Sequence, residues 1–300
     1  MASTRTSTTK RSASPSVFIL GAGKVGAALR HALRAAGVPV TLRPARRPLP
    51  RRIDADLVLL AVRDKDLAPL AERIAAAGIL DRRSAVVHAA GALDATPLAA
   101  LRGSCAGVGQ MHPMISFAST TIFPSLARGN VHVQGDPVAV ARARAVARRL
   151  GMTPRTFPSL DSVGYHAAAG LVANGAAALA AAGVALLGRA GVPASEAPKL
   201  LGPLLRSVGD NVERMGFPQA LTGPVRRGDP SAIEKQIKTL RERLPEVLPL
   251  FAEAGLLQIP IARELAEGPP GGLDAMRDIF MNVLAPLRAA PAPRRKATRA

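Results

Sequence analysis

The sequence predicts a doubly wound α/β domain followed by an all-helical one, and three observations carry that expectation. Short apolar runs alternate with helical patterns from Ser16 onward, no strand pattern follows Phe157, and the first strand–turn–helix holds a glycine turn at Gly21, Gly23 and Gly26. Continuous apolar strands separated by helices belong to a parallel sheet covered on both faces.

Strands are expected at 17–20, 38–42, 56–62, 85–88, 107–110 and 130–133, with helices at 27–36, ended by Gly37, and near 67–77. From Ser162 to Arg189 the chain reads as one long Ala-rich helix. Further helical patterns follow at 195–215, 231–244, 247–254 and 273–289, broken by Pro and Gly turns. The expected organisation is a disordered basic tail at 1–15, an α/β domain at 16–158, a helical domain for substrate binding and dimerisation at 159–286, and a second disordered basic tail at 287–300. Residues 167–187 carry no charge and are long enough to cross a bilayer. They are mostly Ala and Gly and contain Asn174, so lipid gains them little. The expectation is a helix buried inside the protein or at a subunit interface.

Composition narrows the function. Hydrophobic residues make up 48% of the 300, enough for sizeable cores, whereas aromatics are 3%, with no Trp and one Tyr. That excludes disorder throughout and argues against a base-stacking nucleic-acid module. One cysteine, Cys105, provides neither an internal disulfide nor a thiolate metal site, and residues 1–16 lack the apolar core of a secretory signal. A cytoplasmic protein is expected. The net charge of +19 is concentrated: the two tails supply eight of it and residues 41–52 another five. No recognition motif accompanies the charge, so no nucleic-acid partner is expected.

The glycine turn sits directly after a strand and opens a helix. In that position Gly21 allows the tight turn, Gly23 lets the backbone approach a diphosphate, and Gly26 permits close helix–strand packing, while the anion rests on the helix N-terminus. Gly21, Ala22, Gly23, Lys24, Val25 and Gly26 are therefore candidate dinucleotide ligands. At the end of the second strand an NAD binder places an acid on the ribose 2′-hydroxyl. Here stand Thr41, Leu42 and Arg43, then Arg46 and Arg47. Arg43 and Arg46 are expected to bind a 2′-phosphate, which selects NADP; the other reading is a solvated loop.

Other polar residues cluster at strand ends. Val62 and Asp64 close the third strand, Asp64 being either a ligand contact or a helix N-cap. His88 ends the next strand and His112 follows a further one. Tyr165 and His166 stand near the start of the long helix, eight residues before Asn174; that spacing advances about 12 Å and turns about 80° beyond two full circles, so both side chains can face one cleft. Asn174 is read as a helix–helix clamp or a substrate hydrogen-bonder. Asp229 before Pro230 has the form of an N-cap with proline at the first helical position, whereas Thr222, Arg226 and Arg227 have no such local role.

Four motifs taken together carry a family resemblance: Gly21 to Gly26; His112-Pro113-Met114-Ile115-Ser116-Phe117; Tyr165-His166-Ala167-Ala168-Ala169 with Asn174; and Leu221-Thr222-Gly223-Pro224 with Arg227-Gly228-Asp229. Across roughly residues 16–285 the chain resembles bacterial Rossmann-like oxidoreductases whose C-terminal half is a domain of unknown function. These are related to the 6-phosphogluconate-dehydrogenase-like reductases, including pyrroline-5-carboxylate reductase and ketopantoate reductase. The resemblance implies an NADP-dependent reductase with a helical, dimer-forming C-terminal domain. Two departures stand out. Gly170 occupies the place, one turn before Asn174, where ketopantoate reductases carry a Lys, and Ala90 stands where the family usually has Ser.

The expected function is NADPH-dependent reduction of the carbonyl of a small, ketopantoate-like 2-oxo acid, between the two domains. Asn174 would polarise the oxygen and His166 act as general acid, with His112 able to exchange roles with it. Thr222 and Arg227 would hold the substrate carboxylate, and His88 would join the cofactor site. No metal is expected. The alternatives are an imine reductase of pyrroline-carboxylate type and a non-catalytic NADP-binding sensor.

Overall fold

The computed structural model describes residues 15–289, so the tail at 1–14 and residues beyond 289 lie outside the described residues. Two compact units divide between Ala173 and Asn174. This division lies inside the long helix, not near Pro158, and the helix's first turns go with the α/β unit.

That unit is built on a seven-stranded sheet in the order β2-β1-β3-β4-β5-β6-β7. The strands are β1 (Val17–Leu20), β2 (Val40–Arg43), β3 (Leu57–Leu60), β4 (Ala85–His88), β5 (Gly107–Pro113), β6 (Asn130–Gly135) and β7 (Thr153–Arg155). Interleaved with them are α1 (Lys24–Ala35), α2 (Asp64–Ala77) and α3 (Pro137–Arg149). The strands alternate their side chains between two cores. Ile19, Leu57, Leu59 and Val87 face Leu29 and Leu33 of α1 and Ala143 and Val146 of α3. Leu20, Val58, Leu60 and Val86 face Leu67, Leu70 and Ile74 of α2 together with the 3₁₀ turn Thr96–Leu101. Burial on both faces explains why β3 reads as an unbroken Leu-Val-Leu-Leu run.

The doubly wound parallel sheet is as expected, with one exception. β5 and β6 pair antiparallel, with Gly109 opposite Gly135 and His112 opposite His132. Parallel pairing needs a crossover helix, and residues 114–129 form none. α3 then supplies the crossover to β7, which pairs parallel with β6. Neither α3 nor β7 was legible as a separate element in the sequence.

The second unit is all-helical, as expected. α4 (Ser162–Arg189) enters it and is followed by α5 (Ala197–Met215), α6 (Pro230–Arg243), α7 (Leu248–Leu265) and α8 (Gly272–Ala289). Its core joins Ile233 and Ile237 of α6, Ala252 and Ile259 of α7, and Met276, Phe280 and Leu284 of α8. α7 runs past the expected stop at Ala254. Gly255 is there for packing, since a Cβ at that position would strike the Phe280 ring, and the helix runs on through Pro260. α8 ends at Ala289, where the helical pattern at 273–289 was expected to end, so the tail boundary set at 287 falls inside the helix. The expectation that α4 is buried inside the protein is corrected: none of its residues is buried, and it has the length and hydropathy of a membrane span.

Candidate active site

The order of the sheet reverses beside β1: the chain steps from β1 to β2 on one side and returns through β3 on the other. Ligands of open α/β sheets bind in the crevice this reversal leaves at the carboxyl ends of the strands. A cleft of about 870 Å³ lies there in the α/β unit, lined from the glycine turn at one end to His112 and His166 at the other.

At the first end each glycine has a separable reason. Gly21 has φ +125°, and a Cβ on it would meet the Ala61 carbonyl at the end of β3. A Cβ on buried Gly26 would run into the Gly21 carbonyl and press on Ile19. Gly23, by contrast, has an ordinary φ of −75° and nothing within 4 Å of where its Cβ would stand. No protein atom requires glycine there. Gly23 is also the N-cap residue of α1, whose first turn has no acid and no side-chain cap. An uncapped helix N-terminus above an open cradle suits a diphosphate. Ala22, Lys24 and Val25 line the cleft beside it.

The basic segment after β2 divides. Arg43 does not line the cleft; its Nε and Nη2 donate to the Pro48 carbonyl at 2.9 and 2.6 Å and close the 44–48 loop. Arg46 does line it, with Pro44 and Ala45. Val62 and Asp64 also line it, but Asp64 is not the N-cap of α2: that position is Arg63, and Asp64 and Asp66 supply first-turn carboxylates.

His88 is the clearest correction. It is fully buried and absent from the cleft lining. Its Nδ1 accepts from Ala90 N at 3.2 Å, so its Nε2 carries the proton and donates to the Asp94 carbonyl at 2.6 Å. Burial keeps it below the ordinary histidine range, so it is a neutral tie holding the loop after β4.

At the far end, His112 donates Nδ1–H to the Ala89 carbonyl at 3.0 Å, which leaves Nε2 as a lone pair. Its ring meets that of His166 edge-on, with centroids 5.5 Å apart, and that of Tyr165 at 6.0 Å. The two histidines converge over Gly91. A Cβ there would collide with His166 Nδ1 and stand 2.7 Å from His112 Cε1. Burial lowers the His112 pKa and raises that of Tyr165.

In the helical unit, Asn174, Thr222 and Arg227 are exposed. Arg226 has a structural occupation that the sequence did not reveal: it pairs with both Glu267 oxygens at 2.8 and 2.6 Å and donates to the Gln219 and Leu221 carbonyls. Asp229 caps α6, accepting from Ala232 N at 3.1 Å. Among the described residues no cluster of His, Cys, Asp and Glu has the makings of a metal site.

The sequence reading passed over Gln110, His132 and Gln134. The available signal was polar residues at alternate positions of two strands that are otherwise apolar.

The comparisons with known proteins agree with the fold. A model of a domain of unknown function (DUF2520) matches residues 130–256. No curated protein matches the chain. Among solved structures the chain is similar to a candidate NADP oxidoreductase from Bacteroides fragilis, at 18% identity and TM-score 0.60 over 85% of this chain and 98% of that one. A protein from Thermotoga maritima is similar at 20% identity and TM-score 0.56, over 83% and 99% of the two chains. Pyrroline carboxylate reductase from Plasmodium falciparum, solved with NADP bound, is similar at 11% identity and TM-score 0.56, over 90% and 98%. At these identities the likeness establishes a Rossmann-like α/β unit followed by a helical one.

Two outcomes follow from this geometry. Gly26→Ala should lower Tm by several degrees, whereas Gly23→Ala should leave it within about a degree and weaken NADPH binding about tenfold, by scanning calorimetry and titration; equal effects of the two on Tm would contradict the assignment. Secondly, His88, His112 and His132 are all held below the ordinary histidine value by burial. Below about pH 6.5 the unfolded chain therefore binds more protons than the folded one, so stability is full above that pH and falls as the medium is acidified. The urea midpoint should be level near pH 7–8 and decline below about pH 6.

Proposed function

We propose that the protein is an NADPH-dependent reductase that transfers hydride to the carbonyl of a small 2-oxo acid. The observation that supports this most is one continuous cleft joining an uncapped, open glycine cradle to a pair of converging histidines. The residues present fit the dinucleotide: Gly21 to Gly26 with the N-terminus of α1 would hold the diphosphate, and Arg46 the 2′-phosphate, with Arg43 fixing the loop that presents Arg46. Bound there, NADPH supplies a hydride to an electrophilic carbon.

The chain's own work is then to receive charge and deliver a proton. Hydride arriving at carbon drives the C=O electron pair onto oxygen, which needs a donor and one transferable proton. In this reading His166 gives that proton and Asn174, two turns along α4, polarises the oxygen. His112, whose Nδ1–H is committed to the Ala89 carbonyl, offers Nε2 as an acceptor, and it would have to take a proton from solvent there before it could exchange roles with His166. Thr222 and Arg227 take the substrate carboxylate. The protein is read as cytoplasmic, with no nucleic-acid partner.

One observation favours a second reading, reduction of a cyclic C=N bond. Among the described residues the cleft lining holds one lysine, Lys24 at the glycine turn, and none at the histidine end. An imine that arrives protonated needs no such donor, and a pyrroline carboxylate reductase shares the fold.

A homodimer belongs to the same proposal. α5 leaves Leu200, Leu204, Val208 and Val212 exposed at four-residue spacing, beside the unburied α4. Such a stripe is a face for a second copy.

Loss of absorbance at the reduced nicotinamide band across a panel of 2-oxo acids and cyclic imines tests the activity. Turnover is expected with NADPH above NADH, Arg46→Ala should remove that preference, and His166→Ala should cut turnover about 10²-fold or more. Binding of NADPH without its oxidation by either substrate class would instead indicate a sensor protein. Leu204→Glu should shift the sedimenting species from dimer to monomer; an unchanged mass would refute this face as the contact.

A further inference from the structure

The register of β5 and β6 sets Gln110 opposite Gln134 and His112 opposite His132. Four polar side chains thus share one face of the sheet, with His88 of β4 in register beside Gln110. Gln110 and His132 are fully buried, a costly placement unless every polar atom has a partner. Gln110 meets that condition. Its Nε2 donates to the Ala90 carbonyl at 2.7 Å and more weakly to the Gly91 carbonyl at 3.4 Å. Its Oε1 accepts from His132 Nδ1 at 3.0 Å and from Gln134 Nε2 at 2.9 Å. The two carbonyls fix which end of the amide is the donor, so Oε1 can only accept and His132 must carry its proton on Nδ1. His132 Nε2 is then a buried lone pair, and it has no hydrogen-bond partner among the described residues. Its ring lies flat against Phe157 and 5.6 Å from that of Tyr165.

All of this converges on three residues. The strip Ala89 to Gly91 forms part of the cleft lining beneath His112 and His166. His88 takes the Ala90 N–H, His112 the Ala89 carbonyl, and Gln110 the Ala90 carbonyl. Side chains from two neighbouring strands thus hold a short stretch of backbone that a plain turn would leave to solvent. Gln110 is not itself part of the cleft lining; it reaches the cleft through the Ala90 and Gly91 carbonyls.

We propose that Gln110, with its amide locked by His132 and Gln134, is a positioning residue: it fixes the Ala90–Gly91 backbone so that a ligand's reacting atoms meet His112 and His166 in register. This rests on the reductase reading above. Because the glycine turn and Arg46 hold the other end of the dinucleotide, Gln110 governs turnover far more than affinity.

The test combines a spectroscopic and a kinetic readout. In the wild-type protein, long-range ¹⁵N–¹H correlation should show His132 as the Nδ1–H form. In Gln110→Leu that form should no longer be fixed, NADPH affinity should change less than about threefold, and turnover should fall at least tenfold. His132→Phe keeps the ring against Phe157 and serves as the second variant, with a smaller fall in turnover expected. A wild-type His132 protonated on Nε2, or wild-type turnover in a folded Gln110→Leu protein, overturns the proposal while leaving NADPH binding intact. Failure of the wild-type protein to bind NADPH would instead bring down the reductase reading, and this proposal with it.

Discussion

The cleft depends on how closely the turn after β1 approaches its neighbours. Gly21 lies so near the Ala61 carbonyl, and Gly26 so near the Gly21 carbonyl, that neither position has room for a Cβ. This double contact seats α1 against β1 and β3 and aims its N-terminus into the crevice where the sheet order reverses. A side chain at either position would push the helix out. The partial positive charge of the helix end would then no longer face the place where a diphosphate would lie. Gly23 differs: it lines the cleft, and no protein atom stands within 4 Å of where its Cβ would be, so the fold itself places no demand for glycine there.

The other end of the cleft is organised by hydrogen bonds in place of close packing. Parallel strands deliver apolar side chains to both faces, so β4 and β5 would ordinarily end in solvated loops. Here His88, Gln110 and His112 turn inward and bind the backbone of Ala89 to Gly91. Burial holds the histidines neutral, and a neutral imidazole has one donor and one acceptor. Their hydrogen-bond partners then fix the tautomer of each: Nε2–H in His88, Nδ1–H in His112 and His132. A site that moves protons benefits from neighbours whose own protons are settled. The antiparallel turn of β6 is what brings His132 and Gln134 into this arrangement, since it lays their face against that of Gln110 and His112.

The helical unit follows a different logic. Its core of Ile, Leu and Phe280 joins α6, α7 and α8, whereas α4 and the outer face of α5 bury almost nothing. Ala and Gly give α4 a smooth surface on which another helix can approach closely, and the leucine stripe of α5 supplies apolar area that water does not favour. Arg226 shows how an apparently free cation in the loop before α6 is consumed: its pairing with Glu267 and two carbonyls staples that loop to the end of α7.

The amino-acid sequence determined what local rules encode. Apolar runs flanked by turns fixed the strands β1 and β4, the spacing of three glycines fixed the turn after β1, an uncharged Ala-rich run fixed α4, and Asp-Pro fixed the start of α6. Each depends on residues within a few positions of one another, where period and steric allowance act directly. What only the tertiary structure decided are pairings between groups far apart in the chain: Arg226 with Glu267, Gln110 with the Ala90 carbonyl, Arg46 and not Arg43 on the cleft, and His88 committed to backbone while His112 keeps a free nitrogen. A side chain's chemistry is the same wherever it stands, but which of its atoms remains available depends on the partners the fold brings to it, and those partners have no fixed spacing in sequence.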